Sequence, residues 1–522
     1  MDTATPVIPK VKTVFVSTML VVFVVFFTLG ITFRQQEVAF LAALDRFTST
    51  VGYSLQYALF AGGNRSVAGS GFALAVPEAT SAGEAQAIPV LLYHGIVPQA
   101  DRFSLREETF KDQLFALKRA GYQTVSLEDF RAFMAGEKSL PERSFLLTFD
   151  DGRRDSYQNA DPLLDVLDYT AVMFVATQSS LGTPTDHKSY YLNEDDLHRM
   201  VASGRWELAS HAKQETGGYV PTTADQRRGN FLSSKRWLVD AGRLETDTEY
   251  ADRVERELQE SKTALEELSA PIIAFSYPFG DYGQQTENYE LAGSVIRDVV
   301  SETYDLSFRQ VWPLDPEYTY NYPGEEMHRL KRVEVATDMS GRELLAFLEG
   351  ALPKPLPYED PLTSTIGWKY NWGEIRSEND TLILAADENS AGAFAFLDGT
   401  RTWSDYRLVV GAERRPGTSF SLIARYTNAE SYASCTFGDG ILSLEQRVNG
   451  TTQTLREVAA SVPVSGTFTL EAQGSVLTCG VGTESISATI DEQAGGIGLR
   501  VWSEPLATAR TSITSLRVEA AP

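Results

Sequence analysis

Cysteine is nearly missing from this chain: Cys435 and Cys479 are the only two among 522 residues. No CxxC spacing exists, which excludes thiol-rich zinc sites and dithiol redox sites. Histidine is almost as scarce, with His94, His187, His198, His211 and His328 as the whole supply. Any imidazole-bound metal must draw on those five. Positive charge also falls short, 46 Lys and Arg against 70 Asp and Glu, a net charge of -24. A phosphate backbone needs a basic surface, so nucleic acid is excluded as a partner. The acidic residues are not gathered into long runs and read as a solubilising surface. The rest of the composition, 43% hydrophobic and 22% charged, is that of an ordinary folded protein, and the length exceeds one core, so roughly two to four domains are expected.

Long apolar runs are limited to one. Thr13 to Phe33 carries no charge and is dense in Val, Phe and Leu, enough for a helix to cross a hydrocarbon core. Lys10 and Lys12 precede it, which favours a cytoplasmic tail over residues 1–12 and an exported remainder. A cleaved signal peptide is the competing reading, but it calls for a shorter apolar region and a small-residue cleavage site, and here Arg34 and two glutamines follow. Residues 34–87 read as a helix, with Val38, Leu41, Leu44 and Phe47 at three-residue spacing, and then a Gly, Ser and Ala-rich tether.

From residue 88 to 352, apolar strand-like runs alternate with helical spacing, which predicts a parallel α/β sheet with enough units for a barrel. Its most informative stretch is Ser144-Phe-Leu-Leu-Thr-Phe-Asp-Asp-Gly152, a buried strand that ends in two adjacent carboxylates. Catalytic groups collect beyond the carboxyl ends of such strands. If the backbone turns there, one of Asp150 and Asp151 could accept a proton while the other holds a metal ion. A plain Asp-Asp-Gly turn is the simpler alternative. Residues 353–366, with Pro353, Pro355, Pro357 and Pro361, read as a stiff linker. From residue 367 to 522, short alternating segments between Gly, Asn and Asp turns predict an antiparallel sandwich of about a dozen strands.

The barrel segment resembles the polysaccharide deacetylase (NodB-homology) family of carbohydrate esterases. Leu92-Tyr93-His94, Thr148-Phe-Asp-Asp-Gly152, Ser210-His211 and Tyr277-Pro-Phe-Gly280 carry the likeness, in that order. The run Trp206-Glu-Leu-Ala-Ser-His211 and the charged insertion after it are most similar to the poly-N-acetylglucosamine deacetylase branch. The resemblance implies a distorted (β/α)7 barrel and a divalent metal, usually zinc. It makes Asp150 the general base and Asp151 and His211 metal ligands, with Tyr277, Pro278, Phe279 and Gly280 lining the pocket. In the family a second histidine follows the first by four or five residues, and those positions are Glu215 and Thr216 here. Glu215 is therefore the candidate third ligand; a broken site in a glycan-binding descendant is the alternative. The family's arginine four residues before the motif glycine is Ser276, which leaves Arg329 or Arg332 to supply the positive charge.

His94 is expected either to line the pocket or to make a structural hydrogen bond, and His328 is the candidate general acid. His187 falls in a loop and His198 in a helical stretch, where surface positions are the plainer reading. The C-terminal region resembles concanavalin A-like or laminin-G-like jelly rolls, in which Trp368, Tyr370, Trp372, Trp403, Tyr406 and Trp502 either stack on sugars or fill the core. Cys435 and Cys479 are read as one disulfide of an exported domain or as two buried thiols. Together these readings describe a membrane-anchored, outward-facing deacetylase of an N-acetylated amino-sugar polymer. A metal-free glycan-binding protein and a surface adhesion or scaffold protein are the rivals.

Overall fold

The computed structural model describes residues 48–56, 83–181, 190–491, 494–504 and 506–521. The expected membrane span at Thr13–Phe33, most of the tether and His187 lie outside the described residues. Among the described residues, no helix is long and apolar enough to cross a membrane. Residues 48–56 are helical, while Val38, Leu41, Leu44 and Phe47, which carry the helix expected after the span, lie outside the described residues. The chain divides into two units, residues 1–71 with 158–168, and residues 72–157 with 169–522.

The second unit begins with seven parallel strands: β1 (Val90–Tyr93), β2 (Ser144–Phe149), β3 (Ala171–Val175), β4 (Trp206–Ser210), β5 (Ala274–Ser276), β6 (Leu306–Val311) and β7 (Leu330–Glu334). They follow the order β1-β7-β6-β5-β4-β3-β2, and β2 pairs back onto β1 to close the ring. Strands buried on both faces read as continuous apolar runs, and β2 and β3 are buried at every position. Helices such as Glu107–Arg119, Glu194–Ser203 and Asp247–Glu266 make the crossovers. The last is started by a capping box in which Thr246 and Glu249 each bond the other's backbone N–H. Between β6 and β7 the chain makes no helix. The charged insertion after β4 contains two short hairpins, one of them pairing Tyr219–Pro221 with Arg228–Asn230.

Strand alternation then positions the polar residues. Leu146, Phe174, Ala209, Ala274, Phe308 and Leu330 belong to one buried cluster inside the barrel. Moving two residues at a time toward the carboxyl ends, the inward positions become His94, Asp150, His211, Ser276, Gln310, Arg332 and Glu334.

The remainder is an all-β sandwich of an eight-stranded and a seven-stranded sheet, more strands than the expected dozen. Its first strand, Tyr358–Asp360, pairs with Arg510–Ala520 and so takes up part of the expected proline-rich linker. Trp368, Trp403 and Tyr406 are in the sandwich core, whereas Tyr370 and Trp502 are exposed. Cys435 and Cys479 are disulfide-bonded, on strands of opposite sheets, with Cα atoms 5.6 Å apart.

Candidate active site

Asp150 is the most deeply committed of the mouth residues. Both of its oxygens are held by the Arg332 guanidinium, Nη1 to Oδ1 at 2.6 Å and Nη2 to Oδ2 at 2.7 Å. The hydroxyl of Ser276 lies 3.4 Å from Oδ1. Burial alone would raise the carboxyl pKa, but the charges of Arg332, His211 and His94 outweigh it and hold the value at about 2. Of the two arginines considered from sequence, β7 turns Arg332 inward, against the Phe174 ring at 4.7 Å, while Arg329 stacks over Tyr282.

His94 stands across the mouth with the opposite character. Its Nδ1 lies 3.1 Å from Glu334 Oε1, and Gln310 Nε2 donates to the other oxygen of Glu334 at 3.0 Å. Burial would lower this imidazole's pKa, yet the hydrogen bond and charge of Glu334, with Asp151 and Asp150 nearby, push it up to about 9. Nδ1–H donates to the carboxylate, so the second ring N–H is left for another acceptor. A raised folded-state value means the pair stabilises the fold fully below about pH 6.5, the unfolded value, and loses that contribution as pH rises through 9. Glu334→Gln is expected to lower the His94 midpoint by about 1–2 pH units in an NMR titration of the imidazole. An unmoved midpoint would assign the shift to some other group.

Asp151 leaves the strand by a turn. Its φ of 73° and that of 66° at Gly152 are left-handed, which aspartate tolerates and glycine adopts freely. Asp151 Oδ1 comes 3.6 Å from His211 Nε2. His211 is buried, and burial, the largest influence, lowers its pKa despite the neighbouring carboxylates. Its Nδ1 lies 2.6 Å from Ser276 Oγ and 3.1 Å from the Ser276 carbonyl oxygen. A carbonyl can only accept, so Nδ1 carries the proton and the Nε2 lone pair faces Asp151.

The donor set tests the implied metal. Asp151 and His211 offer two corners, in the ligating tautomer. Glu215 does not supply the third: its side chain is 57% exposed and pairs at 3.9 Å with Lys213. The cause is a long-range contact: the Glu257 carboxylate accepts from the backbone N–H of Gln214 and Glu215 and fixes the loop with the Glu215 side chain outward. Thr216, at the other family position, has a buried hydroxyl with no partner. Among the described residues, no group of three His, Cys, Asp or Glu could hold an ion. The residues therefore do not fit a zinc held by three side chains.

Two further expectations are corrected. His328 precedes β7, at the end opposite the mouth; burial lowers its pKa, and its charged neighbours are Glu326 and Asp305. Tyr277 does not line the mouth either. Its buried ring packs on Phe275, and its hydroxyl donates to the His328 carbonyl at 2.9 Å. Pro278 is buried, while Phe279 is 45% exposed and Gly280 has a φ of 63°. His198 lies in the helix Glu194–Ser203 and is exposed. Sequence reasoning missed Glu334 and the bridging role of Ser276. The available signal was a strand with Arg332 and Glu334 two residues apart on a face that is otherwise apolar.

Comparison with known proteins adds to this geometry. Residues 137–293 match the family model described as polysaccharide deacetylase, a span that contains Asp150, Asp151, His211 and Ser276 but not His94, Arg332 or Glu334. The chain is 26% identical over 230 residues to poly-β-1,6-N-acetyl-D-glucosamine N-deacetylase of Escherichia coli K12, covering 41% of this chain and 33% of that protein. A Staphylococcus epidermidis protein of the same name is 29% identical over 109 residues, covering 21% of this chain and 37% of that one. The chain thus spans about a third of the length of these relatives. A solved de-N-acetylase from Aggregatibacter actinomycetemcomitans aligns with a TM-score of 0.41 and 19% identity, covering 49% of this chain and 98% of that one.

Proposed function

We propose, from the polysaccharide deacetylase domain that this barrel carries, that the protein hydrolyses the N-acetyl groups of an amino-sugar polymer. One observation supports this above the others: an imidazole paired with Glu334 and a carboxylate paired with Arg332 face the same mouth, and these partners push the first pKa up and the second down. Environments that separate two titratable groups in this way assign the acid and the base. Amide hydrolysis needs both. Water adds to the N-acetyl carbonyl as Asp150 accepts its proton, and the C–N bond breaks as His94 protonates the departing nitrogen. Acetate and a free amine result. Arg332 orients the Asp150 carboxylate and restrains its basicity, so proton uptake accompanies carbon–oxygen bond formation rather than preceding it. Ser276 joins Asp150 to His211 and fixes the imidazole ring.

The polymer named by the relatives, poly-β-1,6-N-acetyl-D-glucosamine, is the substrate we propose for this chain. An extracytoplasmic location is supported by the disulfide and by the apolar run at Thr13–Phe33. The two-donor metal set favours a second reading, a glycan-binding protein without turnover. Acetate release from β-1,6-linked N-acetylglucosamine oligomers decides between them, measured after chelation and again with zinc, cobalt or manganese added. Release above the enzyme-free control in any arm is expected. Bound oligomer with no acetate in every arm would establish the binding protein.

A further inference from the structure

Parallel strands are usually joined by a helix, but from β6 to β7 the chain crosses over residues 312–329 without one. That stretch is held by the sandwich instead. Tyr318 is buried, its hydroxyl donates to the Tyr426 carbonyl at 2.9 Å, and its ring meets those of Phe396 and Tyr426 at 5.2 and 6.0 Å. Thr319 donates twice to one oxygen of Asp398, through its N–H at 3.1 Å and its hydroxyl at 2.7 Å. Asp398 is 1% exposed, and its other oxygen accepts from the Gly399 N–H at 2.8 Å. The fit is close, since a Cβ at Gly496 would stand 2.2 Å from the Tyr318 hydroxyl. Farther along, Arg401 of the sandwich pairs with Glu325 at 3.3 Å, and Glu325 pairs with Lys331 on β7 at 3.0 Å.

The stretch held in this way in turn holds two barrel strands. Asn321 is fully buried, and its side-chain amide bonds both main-chain groups of Lys331: Nδ2 donates to the carbonyl at 2.9 Å, and Oδ1 accepts from the N–H at 2.8 Å. Arg332 is the next residue, and Glu334 follows two later. The main chain of Asn321 exchanges two hydrogen bonds with Ile88, each at 2.9 Å, just before β1, the strand that runs into His94. One residue thus grips the strand of His94 and the strand of its partner Glu334. These bonds would stabilise the seam whatever the mouth did. Their end points give them more to do, because the two ion pairs of the mouth join β7 to the ends of β2 and β1. We propose that the sandwich helps to shape the mouth: Asp398 and Asn321 are positioning residues that fix β7 along its length, and with it the Arg332–Asp150 and Glu334–His94 pairs. A displacement of about 1 Å at reacting groups costs on the order of a hundredfold in rate, so a small slack in β7 matters. This deepens the deacetylase reading and rests on it for any effect on turnover.

The test is made in the full-length protein, below its unfolding transition. Asp398→Ala leaves both buried donors of Thr319 unpaired. It should lower kcat on a short β-1,6-linked N-acetylglucosamine oligomer by about tenfold, with KM changed less than about twofold. The His94 imidazole midpoint, read by NMR, should fall by about 0.5–1 pH unit as Glu334 moves away. Asp398→Asn keeps an oxygen for Thr319 and should restore most of both values. The double variant Cys435→Ala, Cys479→Ala removes the cross-link and none of these bonds, and should leave both as in the parent. If Asp398→Ala does not fold, Thr319→Val, which removes only the hydroxyl bond, should move both readouts in the same direction by smaller amounts. The imidazole midpoint needs no turnover. A parent that releases no acetate would therefore end the deacetylase reading, and the titration alone would decide the positioning role. Parental kcat and midpoint in the folded variant, or a kcat that falls only with the folded fraction while the midpoint holds, would overturn the proposal.

Discussion

Arg332→Met is expected to destabilise the protein by about 3–5 kcal/mol at pH 7, the usual result of removing one partner from a buried ion pair. Arg332 and Asp150 have side chains only 1% and 4% exposed. Without the guanidinium, the Asp150 carboxylate would keep one weak contact with Ser276 and the influence of His211 and His94, and would lose the largest charge that offsets its burial. The pH dependence identifies the cause. In the parent, the Asp150 pKa of about 2 lies below the unfolded value near 3.9, so the pair contributes fully above about pH 4 and is lost as pH falls through 2. In the variant, burial raises the carboxyl pKa, and stability falls as pH rises through the new value. Denaturant unfolding at pH 4.5 and pH 7 should therefore show a smaller gap between parent and variant at the lower pH. A gap of equal size at both would mean that lost packing against Phe174, not charge, sets the cost. Asp150→Asn should reduce acetate release by about 10²–10⁴-fold, the range for removing a general base. The double variant should lose less stability than the two single changes summed, since neither charge then remains buried alone.

That pair also marks how far sequence reasoning reached. Thr148-Phe-Asp-Asp-Gly152 was legible because a buried strand and its terminal carboxylates are local features, set by side-chain alternation within a few residues. The parallel α/β barrel and the all-β region from residue 367 followed from periodicity in the same way, whereas the count of seven strands came from the family resemblance. The partners of the carboxylates were not local. Arg332 is 182 residues from Asp150, and Glu334 is 240 residues from His94. Only the β1-β7 register, which sets Leu92 beside Glu334, brings them to one mouth. His328 was misplaced because a residue before a parallel strand and one after it look alike in sequence, yet they end at opposite ends of the barrel. Glu215 failed for another reason: the Glu257 carboxylate, on a helix far along the chain, binds its backbone and turns its side chain to solvent.

Replacing Cys435 and Cys479 together by alanine is expected to lower stability by about 4 kcal/mol, the loop-closure value for a cross-link spanning 44 residues. Both side chains are fully buried, so alanine introduces no unpaired polar atom, and the small cavity it leaves adds to the loss. The link joins the two sheets across the sandwich core, Ser431–Gly438 on one side and Val476–Val481 on the other. Nothing comparable holds the barrel, whose mouth depends on hydrogen bonds and ion pairs. Thermal unfolding of the parent with and without reductant should therefore move a transition that reports on the sandwich. Turnover of a short oligomer at low temperature, which depends on the barrel mouth, should be retained. A loss of hexamer binding in the reduced protein, with short-oligomer turnover kept, would show that the sandwich also holds the polymer. If reductant shifts the midpoint no more than it shifts that of the double alanine variant, the bond contributes nothing, and its role as a staple between the sheets is excluded.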